Sequence, residues 1–489
     1  MHEDARAFLA SVTADRRALF AGAGPVYITR APGRLDVMGG IADYSGSHVL
    51  QATIEEAVCC ALQIRTDGRL VLVSELPDTS ELRASLRVGE LESAAERSYR
   101  AANEYVSRDP AAAWSAYVAG AWAVLRAEGV ANGPLPGATV FLRSAVPMAV
   151  GVASSAAVAV ASMSALVGAL GLCIAPLELA RLCQIVENCV VGAPCGIMDQ
   201  VAVTLGKRNG PVIILCQPST VLGNLHLPDG VQVCGIDSAV EKYTAGDRYR
   251  RVRVATFMGR KILSDRHGKP AAGGYLANLT REDYLTARAG LPPRMLGSEF
   301  LEVHGETGDP VTEVDPDQVY PVRGCTEHAI YENNRTVRFI ELLRGAGERD
   351  GTAATNALRR AGRLMYASHW SYTYRCGLGH PDVSMIVKLV RDAGPSQGVY
   401  GAKITGGGTG GTVAVLATSD GIGTVNRIAR EYAVRTGRRS IVFTGSSPGA
   451  AAFGVVEATL QPVAPSAGNL PLASASKRTV AHSGPTGGE

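Results

Sequence analysis

An arginine and two acids, Arg34, Asp36 and Asp43, stand close together in APGRLDVMGGIADYSG, Ala31 to Gly46. These residue types bind and orient hydroxyl and phosphoryl oxygens: arginine through a planar fork of donors, carboxylate as acceptor or base. Between them Met38-Gly39-Gly40-Ile41 carries no polar side chain. The stretch reads as a phosphate-handling turn with a blank at its centre, and the blank implies a substrate that presents no group there.

Three further segments have chemical potential. In VPMAVGVASSAAVAVASM, Val146 to Met163, a turn of small residues through Gly151, Val152 and Ala153 leads into Ser154, Ser155 and Ala156 at the start of an alanine-rich helix. Small side chains let a polyanion reach the backbone, and the free N–H groups of a helix start are donors for phosphate. A plain serine cap gives the same pattern. No Gly-Lys-Ser/Thr follows, so this is not the common P-loop. In ENCVVGAPCGIMDQ, Glu187 and Asp199 bracket a Gly/Pro turn. One such carboxylate suits a divalent cation and the other a hydroxyl, although an exposed Glu and a capping Asp would look alike. KITGGGTGGTVAVL, Lys403 to Leu416, sets five glycines between two strands. A strand rather than a helix follows them, which argues against a dinucleotide fingerprint and for close backbone approach or a tight interdomain turn.

The elements that must position these residues alternate between short apolar strands and helices. Residues 26–29, 70–73, 138–142 and 211–216 read as strands; 154–171 and 177–191 read as helices. The pattern restarts at VQVCGIDS and continues in helices near 247–266, 326–344 and 353–371. This gives an α/β (α+β) chain with a first domain over 1–215, a second over 216–460, and a Pro/Ser/Gly/Ala-rich tail, 461–489, too poor in apolar surface to order. MHEDARAFLASVTADRR reads as an amphipathic helix and not a secretion signal.

Composition narrows the function classes. The 489 residues are 46% hydrophobic with a formal charge of +3, which offers no electrostatic case for nucleic acid or an anionic membrane. No apolar run is long enough to span a bilayer. Ten scattered cysteines without a CxxC pair fit buried thiols. A cytoplasmic enzyme is expected.

Taken in order, the motifs resemble those of the GHMP small-molecule kinases, and within them the galactokinase branch, over about Thr29 to Val456. APGRLDVMGGIADYSG looks like the first motif, GVASSAA like the second and TGGGTGG like the third. GRLDVMGGIADYSGSHVLQ, VENCVVGAPCGIMDQ and RVATFMGRKIL are similar to the kinase portion of plant L-arabinokinases, whose additional amino-terminal glycosyltransferase-like region this chain has no room for. The resemblance implies a ribosomal S5 domain 2-like first domain, a ferredoxin-like second domain and a site between them. It implies ATP on the loop Gly151 to Ala156, Mg²⁺ on Ser155 and Glu187, and Asp199 beside the anomeric hydroxyl as base or orienter. Arg34 would serve both that acid and the transferred phosphoryl group. Asp36, Asp43, Gly196 and Tyr249 would touch the sugar, Tyr249 equally reading as a half-buried helix residue.

Galactokinases have Gly-Glu-His-Thr-Asp where this chain has Gly39-Gly40-Ile41-Ala42-Asp43. Their glutamate holds the 6-hydroxyl of galactose. L-Arabinopyranose lacks that exocyclic carbon, so a carboxylate there would be buried unpaired. Gly40 removes it, and Ile41 is expected to fill the space. The implied reaction is ATP-dependent 1-phosphorylation of L-arabinose. The alternatives are a kinase for another galactose-like sugar, or a non-catalytic sugar and ATP sensor.

Overall fold

The computed structural model describes residues 2–20, 24–76, 79–240, 245–267, 271–348 and 351–460; the expected tail from 461 lies outside them. The chain begins with a helix, Glu3–Thr13, whose apolar face buries Ala5, Phe8 and Val12. Seven strands follow: β1 (Val26–Met38), β2 (His48–Arg65), β3 (Arg69–Glu75), β4 (Glu81–Arg87), β5 (Gly137–Ser144), β6 (Val212–Leu215) and β7 (Thr220–Asn224). β8 (Val231–Asp237) opens a second sheet, β9 (Met295–Leu296) and β10 (Val319–Tyr320) form a small ladder, and β11 (Val399–Ile404), β12 (Thr412–Thr418) and β13 (Val442–Phe443) complete the second sheet. β14 (Val456–Ala458) returns to β1.

Among the described residues the first sheet runs β14-β1-β2-β5-β3-β4, with β6 and β7 hung on the other end of β2. The 18 residues of β2 make this possible, since His48–Gln51 pair with β6 and Val58–Arg65 with β5. Two helices rich in alanine, Ala116–Ala127 and Ser154–Ala169, pack with this sheet around the fully buried Trp122. Small side chains let helix and sheet approach closely, which is why these helices are apolar nearly all round.

The second sheet has the order β11-β12-β8-β13. Counted along that part of the chain this is 2-3-1-4, the split βαβ arrangement expected of a ferredoxin-like domain. The helices Val322–Gly347 and Gly351–Tyr374 pack together, and the second lies on β11. A Cβ on Gly362 would stand 1.9 Å from the Tyr400 carbonyl, so only glycine permits that approach.

Two expectations shift. Ala31 to Met38 lie within β1, so only Gly39 onward forms the turn; the ladder to β2 holds the polar residues extended, with bulges at Pro32/Arg34 and Asp36/Met38. The expected boundary at 215 falls inside the β6–β7 hairpin, and the chain changes sheet between Asn224 and Val231.

Candidate active site

The bulge after Pro32 presents Arg34 to the first turn of the Met198–Leu205 helix. Its Nε donates to Asp199 Oδ1 at 2.9 Å and its Nη2 to Oδ2 at 2.7 Å, a bidentate pair. Burial alone would lower the Arg34 pKa, but the charge of Asp199 and its hydrogen bonds raise it. Arg34 Nη1 donates to the Gly151 carbonyl at 2.8 Å. One guanidinium therefore ties the acid to the glycine loop.

That loop turns through three left-handed residues, Ala149, Gly151 and Ala153. Its carbonyls face inward: Val152 O accepts from Arg34 N, and Val150 O accepts from both the amide and hydroxyl of Thr412. Ala153 is the cap position of the 16-residue helix that starts at Ser154, and no side chain caps it. A helix start with uncapped N–H groups, small residues and two serines suits a polyphosphate better than a structural serine cap. A cavity of about 290 Å³ adjoins it, lined by Trp114, Tyr117, Leu142, Val146, Ser154 and Val158. Trp114 Nε1 is a buried donor without a partner.

Glu187 sits in a single π-helical turn, Val186–Val191, that follows the Pro176–Ile185 helix. Such a turn breaks the regular ladder and often marks a functional residue. Ser155 Oγ donates to Glu187 Oε2 at 3.3 Å, and Gln200 Nε2 to Oε1 at 3.1 Å. Burial first, and then the charge of Asp199, push the Glu187 carboxyl up to about 7. A buried carboxylate at that value, paired only with neutral donors, fits a hard divalent cation that keeps part of its shell from phosphate and water.

Asp43 follows the turn from Gly39 and is 3% exposed. Its Oδ2 accepts a long bond from Met198 N, and a Cβ on Gly196 would stand 1.8 Å from it. Oδ1 is buried without a partner. Burial and the charge of Asp199 push this carboxyl up to about 6. Tyr249 faces the same space, its ring edge-on to Tyr44 at 6.1 Å and close against Gly407. Asp43, Gly196, Asp199 and Arg34 thus come together where the two sheets face each other, with Tyr249 beside them against Gly407.

Asp36 does not reach it. The residue is fully buried: Lys403 Nζ donates to Oδ2 at 2.6 Å and Gln51 Nε2 to Oδ1 at 3.0 Å. Alternation leaves Asp36 on the same face as Arg34, but Lys403 of β11 and Gln51 of β2 take its carboxylate. Gly40 and Ile41 cross the interface between the two domains. Ile41 has a φ of 52°, a strained value for a β-branched residue, and packs into the second domain's core.

Residues 116–207 match the model of the GHMP kinases N terminal domain, 351–435 that of the GHMP kinases C terminal domain, and 17–64 the galactokinase galactose-binding signature. The chain carries the GHMP kinase N- and C-terminal domains and the galactokinase galactose-binding signature. It is 38% identical to the L-arabinokinase of Arabidopsis thaliana over 88% of this chain and 46% of that protein, so it spans less than half of that relative. It is 28% identical to the galactokinase of Chloroflexus aggregans, over 85% of this chain and 90% of that one. The crystal structure of Lactococcus lactis galactokinase complexed with galactose superposes with a TM-score of 0.70 at 21% identity, covering 93% of this chain and 100% of that one.

Several residues that support the site were not among the expected site residues, although Arg253 opens RVATFMGRKIL and Lys403 opens KITGGGTGGTVAVL. Arg253, ion-paired to both oxygens of Asp309 at 2.7 Å, donates to Cys195 O at 3.0 Å and braces the turn before Asp199. Lys403, Tyr372, His328 and Glu332 lie fully buried beneath the Gly39–Ile41 turn. Their supporting role is visible only from their positions in three dimensions.

Proposed function

We propose that this chain transfers the γ-phosphoryl group of ATP to the anomeric hydroxyl of L-arabinose, giving L-arabinose 1-phosphate and ADP. The observation that carries the reading is the Arg34–Asp199 pair, which joins the Gly151 carbonyl of the phosphate loop on one side to the Asp43 cleft on the other. The loop from Gly151 to Ala156 cradles the phosphates, and Ser155 and Glu187 would hold Mg²⁺. That ion neutralises charge on the phosphate oxygens when bound. Asp199 aligns the anomeric hydroxyl and takes its proton as the sugar oxygen bonds to the γ-phosphorus and the bond to the β–γ bridging oxygen breaks. Arg34 stands beside both acid and phosphoryl group, where a fixed cation acts without reorganisation. Asp43 Oδ1, lacking any protein partner, accepts from ring hydroxyls.

Gly40 offers nothing to a 6-hydroxyl, so a sugar without an exocyclic carbon fits best. A pocket that discriminates by one small group does so by about two orders of magnitude at most, and slow phosphorylation of D-galactose is expected. ADP release with ATP and Mg²⁺ across pentoses, hexoses and uronic acids tests the reading. L-Arabinose should give the highest kcat/KM, and Asp199→Asn should lower kcat by about a hundredfold or more while leaving sugar binding. Galactose turnover equal to or above that of L-arabinose would make this a galactokinase; binding without turnover would make it a sensor.

A further inference from the structure

The blank at Gly40 is not empty space. A Cβ there would stand 1.9 Å from the Tyr372 hydroxyl and 2.1 Å from Asp36 Oδ2. We propose that Tyr372, held against the Lys403–Asp36 pair, is the wall that closes the space beyond Gly40 to an exocyclic sugar carbon, and so a specificity-determining residue; this rests on the sugar-kinase reading above.

Tyr372 lies on the Gly351–Tyr374 helix and is fully buried. Its hydroxyl donates to Gly406 O at 3.0 Å. Gly406 is itself next to the reacting groups, since a Cβ on it would be 3.5 Å from Arg34 Nη2 and 3.1 Å from Gly151 O. The phenol therefore ends beneath Gly406, buried between the Arg34–Asp199 pair and the Gly39–Ile41 turn.

Neither wall nor turn has room to move. Lys403 Nζ sits 5.2 Å from the Tyr372 ring centroid while it binds Asp36, and the His328 ring packs edge-on at 5.2 Å. His328, kept neutral by burial, donates from Nε2 to Gly40 O at 3.1 Å and accepts at Nδ1 from Ser371 Oγ at 2.9 Å. Gly39 N donates to Glu332 Oε1 at 3.3 Å. The turn is hung from one helix of the second domain, Val322–Gly347, and its strained Ile41 packs into the same core as Tyr372. Ile41 had been the residue expected to fill the gap; the atoms that face Gly40 belong to Tyr372 and Asp36.

Position 40 and position 372 are then one device. Glycine is required at 40 because the tyrosine occupies the place of its side chain, and the tyrosine excludes from the sugar what it excludes from the backbone. Removing the hydroxyl opens the space of one heavy atom, and a leucine opens more.

The test compares D-galactose and L-arabinose, by kcat/KM and by direct calorimetric binding, in the parent, Tyr372→Phe and Tyr372→Leu. The galactose-to-arabinose ratio should rise in that order, by about tenfold or more at leucine, the scale on which a pocket discriminates one small group. A ratio unchanged within twofold in folded variants, or a parallel fall for both sugars, overturns the inference, because a purely structural role would move both together. If Tyr372→Leu does not fold, Tyr372→Phe, which keeps the ring, decides. A parent that binds L-arabinose but releases no ADP removes only the kinase reading and leaves the binding ratio to judge this one. A parent that binds neither sugar removes both.

Discussion

Asp43 is the residue whose state depends most on the ligand. Its pKa of about 6 lies above the ordinary 3.8, through burial and the nearby Asp199, so the folded chain holds this proton longer than the unfolded one. The contribution to stability is therefore full below about pH 4 and is lost as pH rises through about 6. Sugar binding runs the other way, because only the ionised carboxylate offers Oδ1 purely as an acceptor. We expect the affinity for L-arabinose, followed by titration calorimetry, to strengthen between about pH 5 and 7 and then level off. Asp43→Asn should bind more weakly and show no such step. A step of unchanged position in that variant would assign the titration elsewhere.

At the scale of elements, the loop proposed to cradle the phosphates is positioned by what β1 leaves out. A Cβ on Gly33 would meet Val152 O at 2.7 Å and Ile54 Cδ1 at 2.8 Å, so Gly33→Ala must push the loop away from the strand. The expected result is a KM for ATP raised about tenfold or more, since small misplacements of a binding loop are costly, with sugar affinity in the absence of nucleotide little changed. Equal loss of both would mean that the strand, not the loop, had moved. The loop itself was legible as structure: Gly151, Ser154 and Ser155 before an alanine-rich run state a small-residue turn into a helix that starts at Ser154. The glycine cluster from Gly406 was legible as close approach, and several of the helices were legible, whereas Ala116–Ala127, Pro381–Ala393 and Ile422–Thr436 were not read from the sequence. Asp36 was not, because in sequence an acid that faces a buried lysine looks the same as one that faces a ligand. Lys403 and Tyr372 lie 367 and 336 positions from Asp36 inside an ordinary strand and helix, and no local spacing connects them. The turn at Ala31 was misread for a related reason: its Gly and Pro fit a bulged strand as well as a loop.

Over the whole molecule, the two sheets are joined by shared interior and not only by a cleft. Val37, Met38 and Leu50 of the first sheet pack with Phe339, Leu343, Met365 and Leu416 of the second domain in one buried cluster. Lys403 and Asp36, both with fully buried side chains, bridge β11 and β1 at its edge. A buried pair of this kind adds little net stability, but loss of one partner costs about 3–5 kcal/mol because a charge is left without compensation. Lys403→Met should therefore destabilise the chain by about that amount, and it should lower one calorimetric transition as a whole, since the pair belongs to neither domain alone. Asp36→Asn with Lys403→Met should recover most of the loss by removing the stranded charge. Two separate transitions, with only one responding to Lys403→Met, would show that the domains unfold independently and that the turn carrying Gly40 is not locked by their union. A double variant no better than the single would show that the ion pair acts through shape and not through charge.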